Sequence, residues 1–143
     1  KIGSLSNPLK KMSKSESDKG TIYLLDDINI SRKKIMSAVT DLGHEIVYDM
    51  ENKPGISNLL TIMSCISNRS IDDIVNEFNG KGYGEFKKAV ADVVCEELSN
   101  LQNKVNEIKN SGIIDKILED GAKKASLVAY KKLAKVYRKV GLR

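Results

Sequence analysis

From Phe86 onward, apolar residues recur every three or four positions: Phe86, Val90, Val93, Val94, Leu98, Leu101, Val105 and Ile108. That spacing follows the 3.6-residue helical turn and predicts a long amphipathic helix from about Glu85 to Lys109, ended by Asn110-Ser111-Gly112. A second stripe, Ile114, Ile117, Leu118, Gly121, Ala125, Ala129, Leu133, Val136 and Val140, predicts a last helix from near Ile113 to Val140. The small residues in its middle permit close helix contact. Upstream, Ile35, Val39 and Leu42 share one helical face after a cap-rich stretch from Asp26 to Ser31, and Gly43 is a plausible stop. Pro54-Gly55 opens another helix with Ile56, Leu59, Leu60, Met63 and Ile66 on one face. Ser70 with Asp73 resembles a capping box, and it leads a short helix through Ile71, Ile74, Val75 and Phe78. Gly80, Gly82 and Gly84 then break the chain. The predicted fold is mainly α: a helical bundle in which two long antiparallel helices, joined by a tight turn, pack with shorter ones.

The beginning reads differently. Ile2-Gly3-Ser4-Leu5 has the pattern of the end of a β-strand, too short to stand alone, and Asn7-Pro8 ends it with a turn. A polar run follows from Lys10 to Gly20, and then Thr21 to Leu25 is short, apolar and extended. His44 to Pro54 is a connector with a strand-like Ile46-Val47-Tyr48.

Composition narrows this picture. With 143 residues there is room for one domain, or one domain plus part of another. The chain has no Trp and 5% aromatic residues, so the core is expected to be aliphatic. Cys65 and Cys95 lie in apolar periodic segments without clustered ligands, which argues for two buried free thiols rather than a zinc site or a disulfide framework. No signal peptide and no membrane-spanning run is read, and a reducing, cytoplasmic setting is expected. The net charge of +5 is unevenly spread: residues 122–143 hold eight basic residues and no acid, whereas residues 21–121 hold eleven basic against seventeen acidic. Basic ends on an acidic body point either to phosphate-bearing partners or to a solvated helix end that complements its dipole.

Lys10-Lys11-Met12-Ser13-Lys14-Ser15 concentrates three lysines and two hydroxyls in six residues. Taken alone it is as much a surface linker as a site. Its place between a strand end and a helical region is where α/β folds put ligand loops, and lysines with hydroxyls and backbone N–H groups suit a polyphosphate. Arg32, Lys33 and Lys34 fall in the first turn of the helix predicted there, where the dipole disfavours cations, and that favours a ligand role for them. Gly80-Lys81-Gly82-Tyr83-Gly84 follows a helix, not a strand, and so reads as a helix–helix turn rather than a phosphate cradle. His44 has no nucleophile or carboxylate partner in view. Asp26-Asp27 reads as a cap, not a metal site.

Lys11 to Ser15 is identical to the KMSKS signature of class I aminoacyl-tRNA synthetases, and the chain resembles the C-terminal part of the bacterial tryptophanyl-tRNA synthetase family. The resemblance runs through Ser4-Leu5, Pro8, Lys33-Lys34-Ile35, Ala38-Val39-Thr40-Asp41, Asn52 to Leu60, Ser70-Ile71, Gly80 to Gly84, Phe86-Lys87, Asp120-Gly121-Ala122 and Lys124-Ala125. It departs at Leu42, where the family often has Ser, and at Glu16-Ser17-Asp18, where Asp often follows the signature directly. Tyrosyl-tRNA synthetases are a weaker match. The same sequence also admits a free-standing helical RNA-binding module without catalysis, or a purely structural helical domain.

The resemblance implies residues 1–25 as the edge of a Rossmann-like nucleotide-binding domain and residues 26–143 as an α-helical anticodon-binding domain. It implies that Lys11 and Lys14 hold the β- and γ-phosphates of ATP, with Met12, Ser13 and Ser15 completing the loop and Ile2 lying against adenine. It implies tRNA contact by Lys131, Lys132, Lys135, Arg138 and Lys139. Mg2+ would arrive with ATP, and no protein-held metal is expected. The HIGH signature and tryptophan pocket of the family are expected upstream of Lys1, as are most contacts of its homodimer, so the segment alone is expected to be inactive.

Overall fold

The computed structural model describes residues 1–15 and 18–142; Glu16 and Ser17, two of the residues at which the sequence departs from the usual continuation of the signature, lie outside them. After a short 3-10 turn at Asp18–Gly20 come α1 (Ile28–Met36), α2 (Pro54–Ser67), α3 (Ile71–Glu77), α4 (Tyr83–Asn110) and α5 (Ile113–Lys139). No strand forms among the described residues; the expected strand end survives as one antiparallel bridge, Gly3 to Lys11. The connector at Ile46-Val47-Tyr48 is irregular, although Ile46 is buried. Among the described residues no helix is long and apolar enough to cross a membrane.

The chain divides into two compact units, Lys1–Gln102 and Asn103–Arg143, with the boundary inside α4. In the first unit, α2 forms because Pro54 sits at its first position and a run from Gly55 to Leu60 is buried throughout. Ile56, Leu59, Leu60 and Met63 meet Ile35 of α1, Ile74 of α3, and Phe86, Val90, Val94 and Leu98 of α4 in one aliphatic core. Each such side chain contributes roughly 1.5–3 kcal/mol by leaving water. The two phenylalanines are central: Phe78 and Phe86 meet edge to face with ring centroids 5.1 Å apart. Gly55 is required where it stands, because a Cβ there would collide with the Val39 carbonyl.

Two expectations about α1 are corrected. It starts at Ile28 and stops at Met36, short of Gly43. The chain leaves the helix because the Val39 N–H donates to the Leu5 carbonyl at 2.8 Å, and Leu42, placed on the expected apolar stripe, is fully exposed. The early start also moves the basic triplet. Lys33 and Lys34 lie in the last turn, where the dipole favours cations, so the oddity that argued for a ligand disappears. Asp27 is the N-cap, accepting from the Asn29 N–H at 2.7 Å. Cys95 is buried as expected, but Cys65 is exposed, because it lies off the buried face of α2.

In the second unit no residue of α5 is buried. The apolar stripe from Ile114 to Val140 therefore faces solvent within this chain rather than a core. Gly112 sits at φ 69° and lets the backbone turn between α4 and α5.

Candidate functional site

The lysine-rich loop hangs from a short ladder. Ser4 N–H donates to the Lys10 carbonyl at 2.8 Å and Met12 N–H to the Ile2 carbonyl at 3.0 Å, on either side of the Gly3–Lys11 bridge. Gly3 is clamped from α2 by Asn58. The Gly3 N–H donates to Asn58 Oδ1 at 2.7 Å, and Asn58 Nδ2 donates to the Gly3 carbonyl at 3.0 Å. Any side chain at Gly3 would meet the Pro8 carbonyl at 2.5 Å, so the tight approach requires glycine. The Asn58 amide is buried and both of its hydrogen bonds run to backbone, so the leading end of the loop is fixed to the helical core.

Within the loop, Met12 is half-buried against the core, and with Ile2, Ile22 and Leu24 it lines an apolar groove of about 420 Å³. Lys11 and Lys14 are exposed, and among the described residues neither makes an ion pair. Anchoring the one apolar residue of the signature leaves both ammonium groups available to an anion. Ser13 and Ser15 share a hydrogen bond between their hydroxyls at 2.9 Å. Ile2, expected to lie against adenine, spends its carbonyl on Met12 and places its side chain at the groove.

The trailing end is fixed separately. Thr21 Oγ1 donates to the Ser13 carbonyl at 2.9 Å. The Thr21 carbonyl in turn accepts from Lys34 Nζ at 3.0 Å, and the same ammonium reaches Asp26 Oδ2 at 3.1 Å. Lys34 and Asp26, read from sequence as a ligand candidate and a cap, are thus the fastening for the loop. Arg32 pairs with Asp92 across two exposed side chains, a contact that contributes little.

A second polar cluster joins three stretches. The Tyr83 hydroxyl donates to Asp41, 2.8 Å from each carboxylate oxygen, and accepts from Lys53 Nζ at 2.9 Å, while Lys53 pairs with Asp41 at 3.0 Å. The hydrogen bonds that Lys53 donates to Tyr83 and Asp41 push its ammonium up to about 12. Burial works to raise Asp41, but donation from Tyr83, Lys53 and the Gly43 N–H outweighs it and holds the carboxyl below its ordinary value. Lys87, pushed down by burial, donates to the Ala38 carbonyl at 2.8 Å and to Thr40 Oγ1 at 3.2 Å. Together these bonds staple residues 38–41 to the start of α4. None of these side chains was singled out by sequence spacing, although Asp41, Lys53 and Tyr83 all fall in stretches that carry the family resemblance. The glycine-rich run is the α3–α4 turn, as expected, with Gly80 at φ 77°. His44 is exposed beside it.

Lys131, Lys132, Lys135, Arg138 and Lys139 are all exposed on α5. At about 100° per residue they fall within roughly 120° of the helix circumference. Leu133, Val136, Tyr137 and Val140 lie on the other side. The sequence has thus segregated charge on a helix that buries nothing in this chain. The loop belongs to the first unit and the basic arc to the second.

Comparison with known proteins adds an independent line. The family described as tRNA synthetases class I (W and Y) matches residues 1–99. A tryptophan–tRNA ligase of Malacoplasma penetrans is 48% identical over 99% of this chain and 43% of its own length. One from Bacillus anthracis is 48% identical over 99% of the chain and 44% of its length. Among solved structures, the tryptophanyl-tRNA synthetase of Mycoplasma pneumoniae superposes with a TM-score of 0.69 at 30% identity, over 99% of this chain and 45% of its own. That of Campylobacter jejuni, in complex with ADP and tryptophan, gives 0.72 at 29%, over 99% and 43%. The chain spans less than half the length of the curated relatives it matches.

Proposed function

Because the chain belongs to the class I tRNA synthetases that handle tryptophan or tyrosine, we propose that it is the C-terminal part of a tryptophan–tRNA ligase and supplies its pyrophosphate-binding loop and tRNA-binding helices. The observation that carries this reading is the pair of exposed, uncommitted lysines, Lys11 and Lys14, on a loop pinned at both ends to the helical core. Identity of 46–48% to bacterial tryptophan–tRNA ligases over 99% of the chain favours tryptophan over tyrosine.

In the reaction so proposed, a carboxylate oxygen of tryptophan attacks the α-phosphorus of ATP. The bond from that phosphorus to the bridging oxygen of pyrophosphate breaks, giving tryptophanyl-adenylate and free pyrophosphate. Negative charge grows on the departing β- and γ-phosphates. Lys11 and Lys14 neutralise it, and Ser13 and Ser15, with their hydroxyls joined at 2.9 Å, support the loop and its phosphate contacts. Ile2 lies against the adenine. Mg2+ travels on the ATP phosphates and adds positive charge there. The tryptophanyl group then passes to a terminal ribose hydroxyl of its tRNA, with release of AMP.

The basic arc Lys131, Lys132, Lys135, Arg138 and Lys139 gives the tRNA phosphates a matching surface, and unpaired anticodon bases supply specificity. In this reading residues 1–25 are the edge of the nucleotide-binding domain and residues 26–143 the tRNA-binding domain. The full-length protein works in the cytoplasm as a homodimer, with its tryptophan pocket upstream of Lys1. The test is amino-acid-dependent exchange of labelled pyrophosphate into ATP by the full-length ligase. Tryptophan is expected to support exchange and tyrosine is not; exchange with tyrosine alone would overturn the assignment.

A further inference from the structure

Most of the contacts that shape the signature loop lie at its leading end, in the ladder with Ile2 to Ser4. Among the described residues, one side chain from outside the signature is hydrogen-bonded to its centre. Thr21 is nearly inaccessible, at 4% exposure, and its hydroxyl donates to the carbonyl of Ser13, which lies between the two lysines. Resting on the pyrophosphate-loop reading above, we propose that Thr21 is a positioning residue for that loop. Its hydroxyl fixes the Ser13 peptide and thereby sets the reach of Lys11 and Lys14 toward the phosphates.

The geometry supports this role in three ways. First, Thr21 is itself held. Its carbonyl accepts from Lys34 Nζ at 3.0 Å, and Lys34, only 8% exposed, is also bonded to Asp26. The donor is therefore anchored through α1 to the core, not carried on a free strand. Second, the leading end is fixed independently by Asn58 on α2, through both polar groups of Gly3. A loop held at one end alone would leave Lys14 on a long tether, whereas a second post inside the signature removes most of that freedom. Third, Met12 and Ser13 are half-buried while Lys11, Lys14 and Ser15 are exposed, so the Thr21 bond falls on an inward-facing position and leaves both lysines outside. Lysine side chains lose considerable conformational entropy when ordered, and placing their backbone in advance reduces what substrate binding must supply.

Thr21→Val removes the hydroxyl at almost constant volume, and Thr21→Ser retains it. In the full-length ligase, pyrophosphate exchange by Thr21→Val is expected to show kcat/KM for ATP reduced roughly 3- to 10-fold, the effect of losing one ordinary hydrogen bond. KM for tryptophan stays unchanged and Thr21→Ser stays within about twofold of wild type. Wild-type ATP kinetics in Thr21→Val would overturn the inference. So would equal impairment of the serine and valine variants, or parallel changes in both substrates, since these would mark a packing role. Lys14→Ala, run alongside, separates the levels. If Lys14→Ala is impaired and Thr21→Val is not, this inference alone fails. If Lys14→Ala exchanges normally, the pyrophosphate reading fails and takes this inference with it.

Discussion

Tyr83→Phe deletes one oxygen from the cluster that staples residues 38–41 to α4. That oxygen lies 2.8 Å from both carboxylate oxygens of Asp41 and 2.9 Å from Lys53 Nζ. The phenol has a single proton, so it donates one hydrogen bond to the carboxylate and accepts another from the ammonium. A hydrogen bond to a charged group contributes about 1.5–3 kcal/mol when its partner is left dry. The side chains of Asp41 and Lys53 are 23% and 17% exposed and keep their own ion pair at 3.0 Å, so water recovers part of the loss. The expected destabilisation is therefore about 1.5–2.5 kcal/mol, toward the lower end of that range. Urea unfolding read by circular dichroism tests it, with a lower midpoint at unchanged slope. Because the hydroxyl acts through Asp41, the cost of combining Tyr83→Phe with Asp41→Asn should fall short of the sum of the single costs by about 1 kcal/mol. A loss under about 0.5 kcal/mol, or a strictly additive pair, would refute the argument that these groups act as one unit.

Two further outcomes follow from the same geometry. Asp41 has its native carboxyl held below the ordinary 3.8, so its contribution to stability is complete above that value and is lost as the pH falls through the lower native one. Urea midpoints measured from pH 7 down to pH 2.5 should fall less steeply below about pH 4 for Asp41→Asn than for wild type; identical profiles would count against it. For the basic arc, replacing Lys131, Lys132 and Lys135 with alanine should lower the slope of log K against log salt for tRNA binding by about 2, from the roughly 0.7 per contact released on unpaired strands. An unchanged slope would exclude α5 from the proposed tRNA interface.

The helices were legible because their information is local. Stripes at helical spacing, Pro54 at the head of α2 and the glycines at 80 and 112 place α2 to α5 to within a few residues. Local pattern failed where a distant partner intervened. Val39 and Leu42 continue the stripe of α1, yet the backbone leaves the helix at Ser37 and Val39 bonds to Leu5, thirty-odd residues upstream. The stripe on α5 is a true helical signal, but periodicity alone does not say whether an apolar face is covered within the same chain. The signature loop was legible as letters. Its suspension was not, because Asn58 lies 55 residues from the glycine that it clamps, and a single threonine in an apolar run carries no pattern. Asp41, Lys53 and Tyr83 are likewise 12 to 42 residues apart and meet only once α2 and α4 are packed.

The proposed role of Lys11 and Lys14 as the pyrophosphate clamp of a tryptophan-activating enzyme is tested most directly by one comparison. It is tryptophan-dependent exchange of labelled pyrophosphate into ATP by the full-length ligase, wild type against Lys14→Ala. A fall of about 100- to 1000-fold in kcat is expected, the usual effect of losing one transition-state donor, with KM for tryptophan little changed. Exchange at the wild-type rate would contradict it.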